Sequence, residues 1–147
     1  MNSLTRILLI GLVFSGVCRP AMPSSEGDLV PIQTLILEAE NQGYEGMVAV
    51  GEVIRNRALK ACRTPEWVCM RPKQFSCWNE PKKAQKRLSG VSGEIFQLAS
   101  KAWVASSESL QTRGSTHYHT KAISPYWAKW KRPTAIIGDH IFYNNIN

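Results

Sequence analysis

The sequence predicts a single α+β domain, with helices first and short extended segments after them. Apolar residues recur at helical spacing between residues 31 and 60 and again between 93 and 107, whereas from Gly114 onward the pattern is short and extended. Size agrees: 147 residues, 44% of them hydrophobic, make one domain with a real core and exclude a disordered tail. A mean hydropathy of -0.21 and one short apolar run exclude a polytopic membrane protein. Eighteen Lys+Arg against 11 Asp+Glu leave a net charge of +7. That charge calls for a polyanionic partner, whether nucleic acid, an anionic membrane surface or an acidic polymer, and does not choose among them.

Residues 1–18 read as a signal peptide or N-terminal anchor. Arg6 supplies a positive start, and residues 7–17 form an eleven-residue apolar run. Roughly 20 residues are needed to span a bilayer, so the run suits a signal-peptide core. Cleavage after Cys18 leaves small residues at Gly16 and Cys18, while bulky Val17 argues against a lipid-attachment box. The chain is therefore expected to be exported, with membrane contact confined to this segment. Residues 19–30, with Pro, Ser and Gly, read as a linker, and 31–147 as the domain.

Within the domain, Pro31 suits the first turn of a helix carrying Ile32, Leu35 and Ile36 and ending at Gly43. A second helix follows over 45–60, with Val48, Val50, Val53, Ile54 and Ala58 as its stripe and Arg55, Arg57 and Lys60 suiting its last turns. Residues 61–81 read as a long Cys-, Pro- and Trp-containing loop, the kind that is usually functional. A helix over 93–107 buries Ile95, Phe96, Leu98, Ala99, Ala102 and Trp103. The extended pieces are THYH, SPYWAKW and TAIIGDHIFY, with Gly138 at a turn.

Glu38 sits near the end of an apolar helix, just before a Gly-Tyr turn, where a side chain projects from a rigid element. A carboxyl group against apolar surface keeps its proton closer to neutral pH, as a general acid needs. A solvated helix-end glutamate is the alternative. Glu40 points to another face, Glu45 leads the second helix, and Glu52 pairs with Arg55, Arg57 or another cation in a structural role. His117 and His119 share one face of a strand, Thr116 and Tyr118 the other. With His140 they leave a three-histidine zinc site open as an alternative. Trp67, Phe75, Trp78, Tyr118, Tyr126, Trp127, Trp130 and Tyr143 concentrate in loops and extended pieces, where rings stack on sugars or bases. Lys82, Lys83, Lys86 and Arg87 form a basic run beside them. Cys62, Cys69 and Cys77 fall within sixteen residues, and in an exported chain they are disulfide candidates. The third thiol stays free or pairs with Cys18. Buried free thiols are the alternative; metal binding is disfavoured because no CxxC occurs.

Four blocks in order, EAENQGYEGMVAVGEVIRNRAL, QFSCW, GSTHYHTKAISPYWA and IGDHIFY, resemble the cell-wall hydrolase family of the spore-cortex lytic (SleB/CwlJ) type over roughly residues 32–143. The resemblance implies a small lysozyme-like α+β domain, N-terminal helices followed by a short antiparallel sheet, that cuts the glycan strand of peptidoglycan. It implies lytic transglycosylase chemistry with a 1,6-anhydro product. Glu38 matches the first glutamate of the family's EARGE-like block, the catalytic acid/base. Gln42 stands where the family has its second glutamate. Tyr44, Gln74, Phe75, Ser76 and Trp78, then Thr116, His117, Tyr118, His119 and Trp127, match positions expected to bind substrate. No cofactor or metal is expected, nor nucleic acid; the partner is peptidoglycan, cut by a monomer. Hydrolytic muramidase, zinc amidase and non-catalytic wall binding are the rival functions.

Overall fold

The computed structural model describes residues 28–146. Helix α1 (Leu29–Ala39) begins two residues inside the expected linker and buries Pro31, Thr34, Leu35, Ile36, Leu37 and Ala39. A 3-10 turn (Glu40–Gln42) follows. Gly43, at φ +66°, then redirects the chain, a conformation that glycine adopts without penalty. Helix α2 (Gly43–Ala61) is the central element, with ten buried residues from Gly46 to Ala58. Helix α5 (Gly93–Ala105) starts at Ser92, whose hydroxyl accepts the Ile95 N–H at 3.3 Å. Its Trp103 packs close to α2 because residue 51 is glycine: a Cβ there would lie 2.7 Å from the Ser106 side chain.

The chain closes with a three-stranded antiparallel sheet, β1 (His117–Thr120), β2 (Ala135–Ile137) and β3 (His140–Tyr143), in the order β1-β3-β2. Tyr118 pairs with Phe142 and Thr120 with His140, so these four side chains share one face. Phe142 on that face packs on Ala49 and Val53 of α2. The other side of α2 joins α1 and α5 in the main core. Helix α2 is thus sandwiched between helices and sheet. Among the described residues no helix is long and apolar enough to cross a membrane. The leader of residues 1–18 and the Cys18 pairing lie outside the described residues.

Several local expectations change. The predicted loop of 61–81 holds helix α3 (Pro65–Met70), capped by the Thr64 hydroxyl with Pro65 in its first turn, and runs into helix α4 (Pro81–Ser89). The basic run lies on α4, where Arg87 reaches the Leu37 carbonyl at 2.8 Å and the Glu40 carboxylate at 3.3 Å. The SPYWAKW stretch forms a 3-10 turn (Tyr126–Ala128), with Trp130 at φ +69°, and no strand. Cys69 and Cys77 are free thiols, so neither is a disulfide partner, and Cys62 is disulfide-bonded. Cys69 is fully buried and packs as a small hydrophobe, and burial pushes its thiol up to about 12.

Glu52 is buried but pairs with no arginine among the described residues. Its carboxylate accepts the Gln111 N–H at 3.0 Å, the Thr112 N–H at 2.9 Å and the Thr112 hydroxyl at 2.6 Å. Arg55 turns instead to α5, donating to the Trp103 carbonyl at 2.8 Å. Glu52→Ala strands two backbone donors and is expected to cost about 3 kcal/mol. A urea titration checks this, with a lowered midpoint and an unchanged slope as the expected result.

Candidate active site

Glu38 occupies the last turn of α1, between buried Leu37 and Ala39, and its carboxyl is half-buried. A carboxylate leaving water must find donors, and two distant segments supply them. The Tyr118 hydroxyl donates to Oε2 at 2.8 Å, and the Cys77 N–H donates to Oε1 at 3.2 Å. Tyr118 reaches Glu38 because strand alternation turns it toward the helices. The Cys77 amide is available because it lies in the first turn of a 3-10 segment (Ser76–Trp78), where N–H groups lack internal partners. Burial, then the charge and hydrogen bond of Glu38, push the Tyr118 phenol well above its ordinary value, so it remains a donor. The same causes raise the Cys77 thiol.

Arg57 holds the two segments together. Its guanidinium donates to the Thr116 carbonyl at 2.6 Å and the Gln74 carbonyl at 3.0 Å, and lies 4.9 Å over the Phe75 ring. Asn56 adds a bond to the Ser115 carbonyl at 2.9 Å. The last turns of α2 therefore fasten both the start of β1 and the 74–77 segment. His140 forms a wall of the site, its ring 4.8 Å from that of Tyr118. Its buried Nδ1 has no hydrogen-bond partner among the described residues. On the other side, the Trp78 indole N–H donates to the Thr34 hydroxyl at 2.9 Å.

This arrangement of helix-borne carboxyl, phenol and amide sits in a chain that matches the Cell Wall Hydrolase family over residues 41–143. The chain belongs to the cell wall hydrolase family. The matched stretch begins three residues after Glu38. The fold is that of the catalytic domain of the Bacillus cereus SleB protein, with a TM-score of 0.70 and 24% identity over 86% of this chain and 96% of that one. No curated protein matches the chain.

In this cell wall hydrolase the expected substrate-binding residues divide. Tyr118 touches Glu38. Ser76 is exposed beside Cys77, Trp78 is half-buried against the core, and Tyr44 is exposed on the first turn of α2. Gln74, Thr116 and His117 line a neighbouring recess. Phe75, at 2% exposure, is core beneath Arg57. Trp127 is half-buried and packs against both His117, at 5.4 Å, and His119. His119 lies on the opposite face of β1, 5.6 Å from Trp127 and stacked on Tyr143 at 5.4 Å, with Nε2 3.1 Å from the Tyr143 hydroxyl. The same alternation separates His117 and His119 from His140. Among the described residues no group of three His, Cys, Asp or Glu is placed to hold a metal ion.

Gln42, at the family's second glutamate position, ties the 3-10 turn to the β2–β3 turn. Its Oε1 accepts the Asp139 N–H at 2.8 Å, and its Nε2 donates to the Asp139 carboxylate at 3.5 Å. Sequence reasoning missed Arg57 and the Cys77 amide, and placed His140 only in a metal alternative. The signal for Arg57 was present: it falls four residues after Val53 and seven after Val50, on the apolar stripe.

Burial lowers the His140 pKa below its ordinary 6.5, against an opposing pull from Glu38 and Asp139. Below that ordinary value the unfolded chain binds a proton that the folded chain resists, so stability falls as pH falls. His117, lowered chiefly by burial, acts in the same direction. The urea midpoint is expected to drop between about pH 7.5 and about pH 5.5, and to drop less in His140→Asn. An equal drop in the variant contradicts the assignment.

Proposed function

We propose that this chain cleaves the glycan strand of peptidoglycan as a lytic transglycosylase, with Glu38 as its only acid/base. The observation that carries the proposal is the Glu38 carboxyl, held by Tyr118 and Cys77 at the end of a rigid helix. Two-carboxylate glycosidases place the second group within about 5–9.5 Å of the first. Here the family's second glutamate is Gln42, engaged with Asp139, while Glu40 is paired with Arg87 and Glu52 caps a buried loop.

A single carboxyl suffices when the sugar supplies its own nucleophile. Glu38 gives its proton to the bridging oxygen as the glycosidic bond breaks. As a carboxylate it then takes the proton of the C6 hydroxyl while that oxygen bonds to C1, closing the 1,6-anhydro ring with no water consumed. The bonds from Tyr118 and Cys77 fix which lone pair of Glu38 faces the sugar, and the net charge of +7 suits an acidic wall. The enzyme works as an exported monomer, carried out by its N-terminal segment.

A hydrolytic muramidase is the second reading. It takes Asp139, the neighbour of His140 on the turn before β3, as its second carboxylate. Mass spectrometry of fragments released from purified peptidoglycan separates the alternatives. Wild type is expected to release products one water lighter than muramidase products, and Glu38→Gln to lose roughly 100-fold or more of the rate. Tyr118→Phe is expected to lose roughly tenfold, the scale of one hydrogen bond to a charged group. Reducing ends move the chemistry to hydrolysis, a cut at the amide moves it to an amidase, and equal release by wild type and Glu38→Gln removes Glu38 from catalysis.

A further inference from the structure

A recess of about 220 Å³ lies beside the candidate site, between the end of α2, helix α3 and the approach to β1. Its polar wall is Arg57, Lys60, Arg71, Gln74, Thr116 and His117, and no Asp or Glu lines it among the described residues. Lys60 and Arg71 are exposed, so their charges are open to a ligand, while Arg57 is half-buried behind them. Trp67 completes the recess and supports Arg71, whose guanidinium lies 5.0 Å over its ring. The positive field shows in His117, whose pKa is lowered by burial and then by the charges of Arg57 and Lys60.

The recess shares Arg57, Gln74 and Thr116 with the segments that carry the residues holding Glu38. Gln74 precedes Cys77 by three residues, and Thr116 precedes Tyr118 by two, about 7 Å along a strand. A spacing of that order is on the scale of one or two sugars. We infer that the recess is an anion subsite, taking a carboxylate carried by the muramic acid next to the cleaved bond. The carboxylate comes from the free lactyl group or from the stem peptide attached to it. Guanidinium and ammonium groups pair with carboxylate in this way, Arg71 through two parallel N–H bonds and Lys60 as a point charge. The volume suits a lactyl group or the first residues of a peptide and does not suit a continuous anionic polymer. The inference rests on the glycan-cleavage proposal and adds to it a preference for acid-bearing strands.

The test compares wild type with Lys60→Gln/Arg71→Gln, both changes at exposed positions. The substrates are strands freed of phosphate polymers: intact peptide-bearing strands, strands stripped by an amidase to free lactyl groups, and methyl-esterified stripped strands. Wild type is expected to show a KM roughly fivefold lower on a carboxylate-bearing strand than on the esterified one, with the variant losing that preference. Preference for stripped strands identifies the lactyl group; preference confined to intact strands identifies the stem peptide. Equal KM for all three in wild type, or a preference retained by the variant, overturns the subsite. If wild type cleaves no strand, the glycan-cleavage proposal fails, and equilibrium binding of the same strands judges the subsite alone. Equal affinity for carboxylated and esterified strands overturns it there, and tighter binding of carboxylated strands that the variant loses upholds it.

Discussion

The hydrogen-bonded carboxyl of Glu38 is the interaction on which the arrangement of this domain turns. A half-buried carboxylate without donors is costly, and here they come from residues 39 and 80 positions away in sequence. Meeting that requirement forces α1, the 74–77 segment and β1 into one place. Each segment is held there by its own device: core packing for α1, a 3-10 turn for the Cys77 amide, and sheet register for Tyr118.

Helix α2 makes the convergence possible. Val50 and Val53 are fully buried, and Arg57, further along the same stripe, ends it in a charge. Its hydrogen bonds to two backbone carbonyls replace the water it loses. Farther back, Glu52 fastens the 111–112 backbone that leads toward β1. Gly51 lets α5 approach closely enough to carry Trp103 into the core. One helix thus serves as core, spacer and clasp, and the candidate site is assembled along its flank.

Much of this was legible in the sequence, and the failures have physical causes. The periodicity of 31–60 and 93–107 marked the three packing helices, and the extended pattern after Gly114 marked the sheet. Helix α3 was missed because six residues are too few to show a period, although Thr64-Pro65-Glu66 is a helix-start signal. The strand THYH was split correctly into two faces, and the resemblance gave a binding role to both. Alternation allows only one face to meet Glu38, and Tyr118 is on it, while His119 joins the aromatic cluster behind. Phe75 looked like a sugar platform, since nothing in QFSCW tells that Arg57 covers its ring. The cysteine cluster suggested a staple, yet Cys69 fills the core as a free thiol.

Gln42 is engaged with Asp139, and catalysis by Glu38 alone, as proposed, has a consequence for where the atoms of water go. A transglycosylase closes the ring with the sugar's own oxygen, whereas a muramidase adds solvent oxygen to the new end. The most direct test is therefore digestion of purified glycan strands in water enriched in heavy oxygen, followed by mass analysis of the newly formed ends. The account predicts ends free of label, formed by wild type and lost with Glu38→Gln. One heavy oxygen at each new end would contradict it.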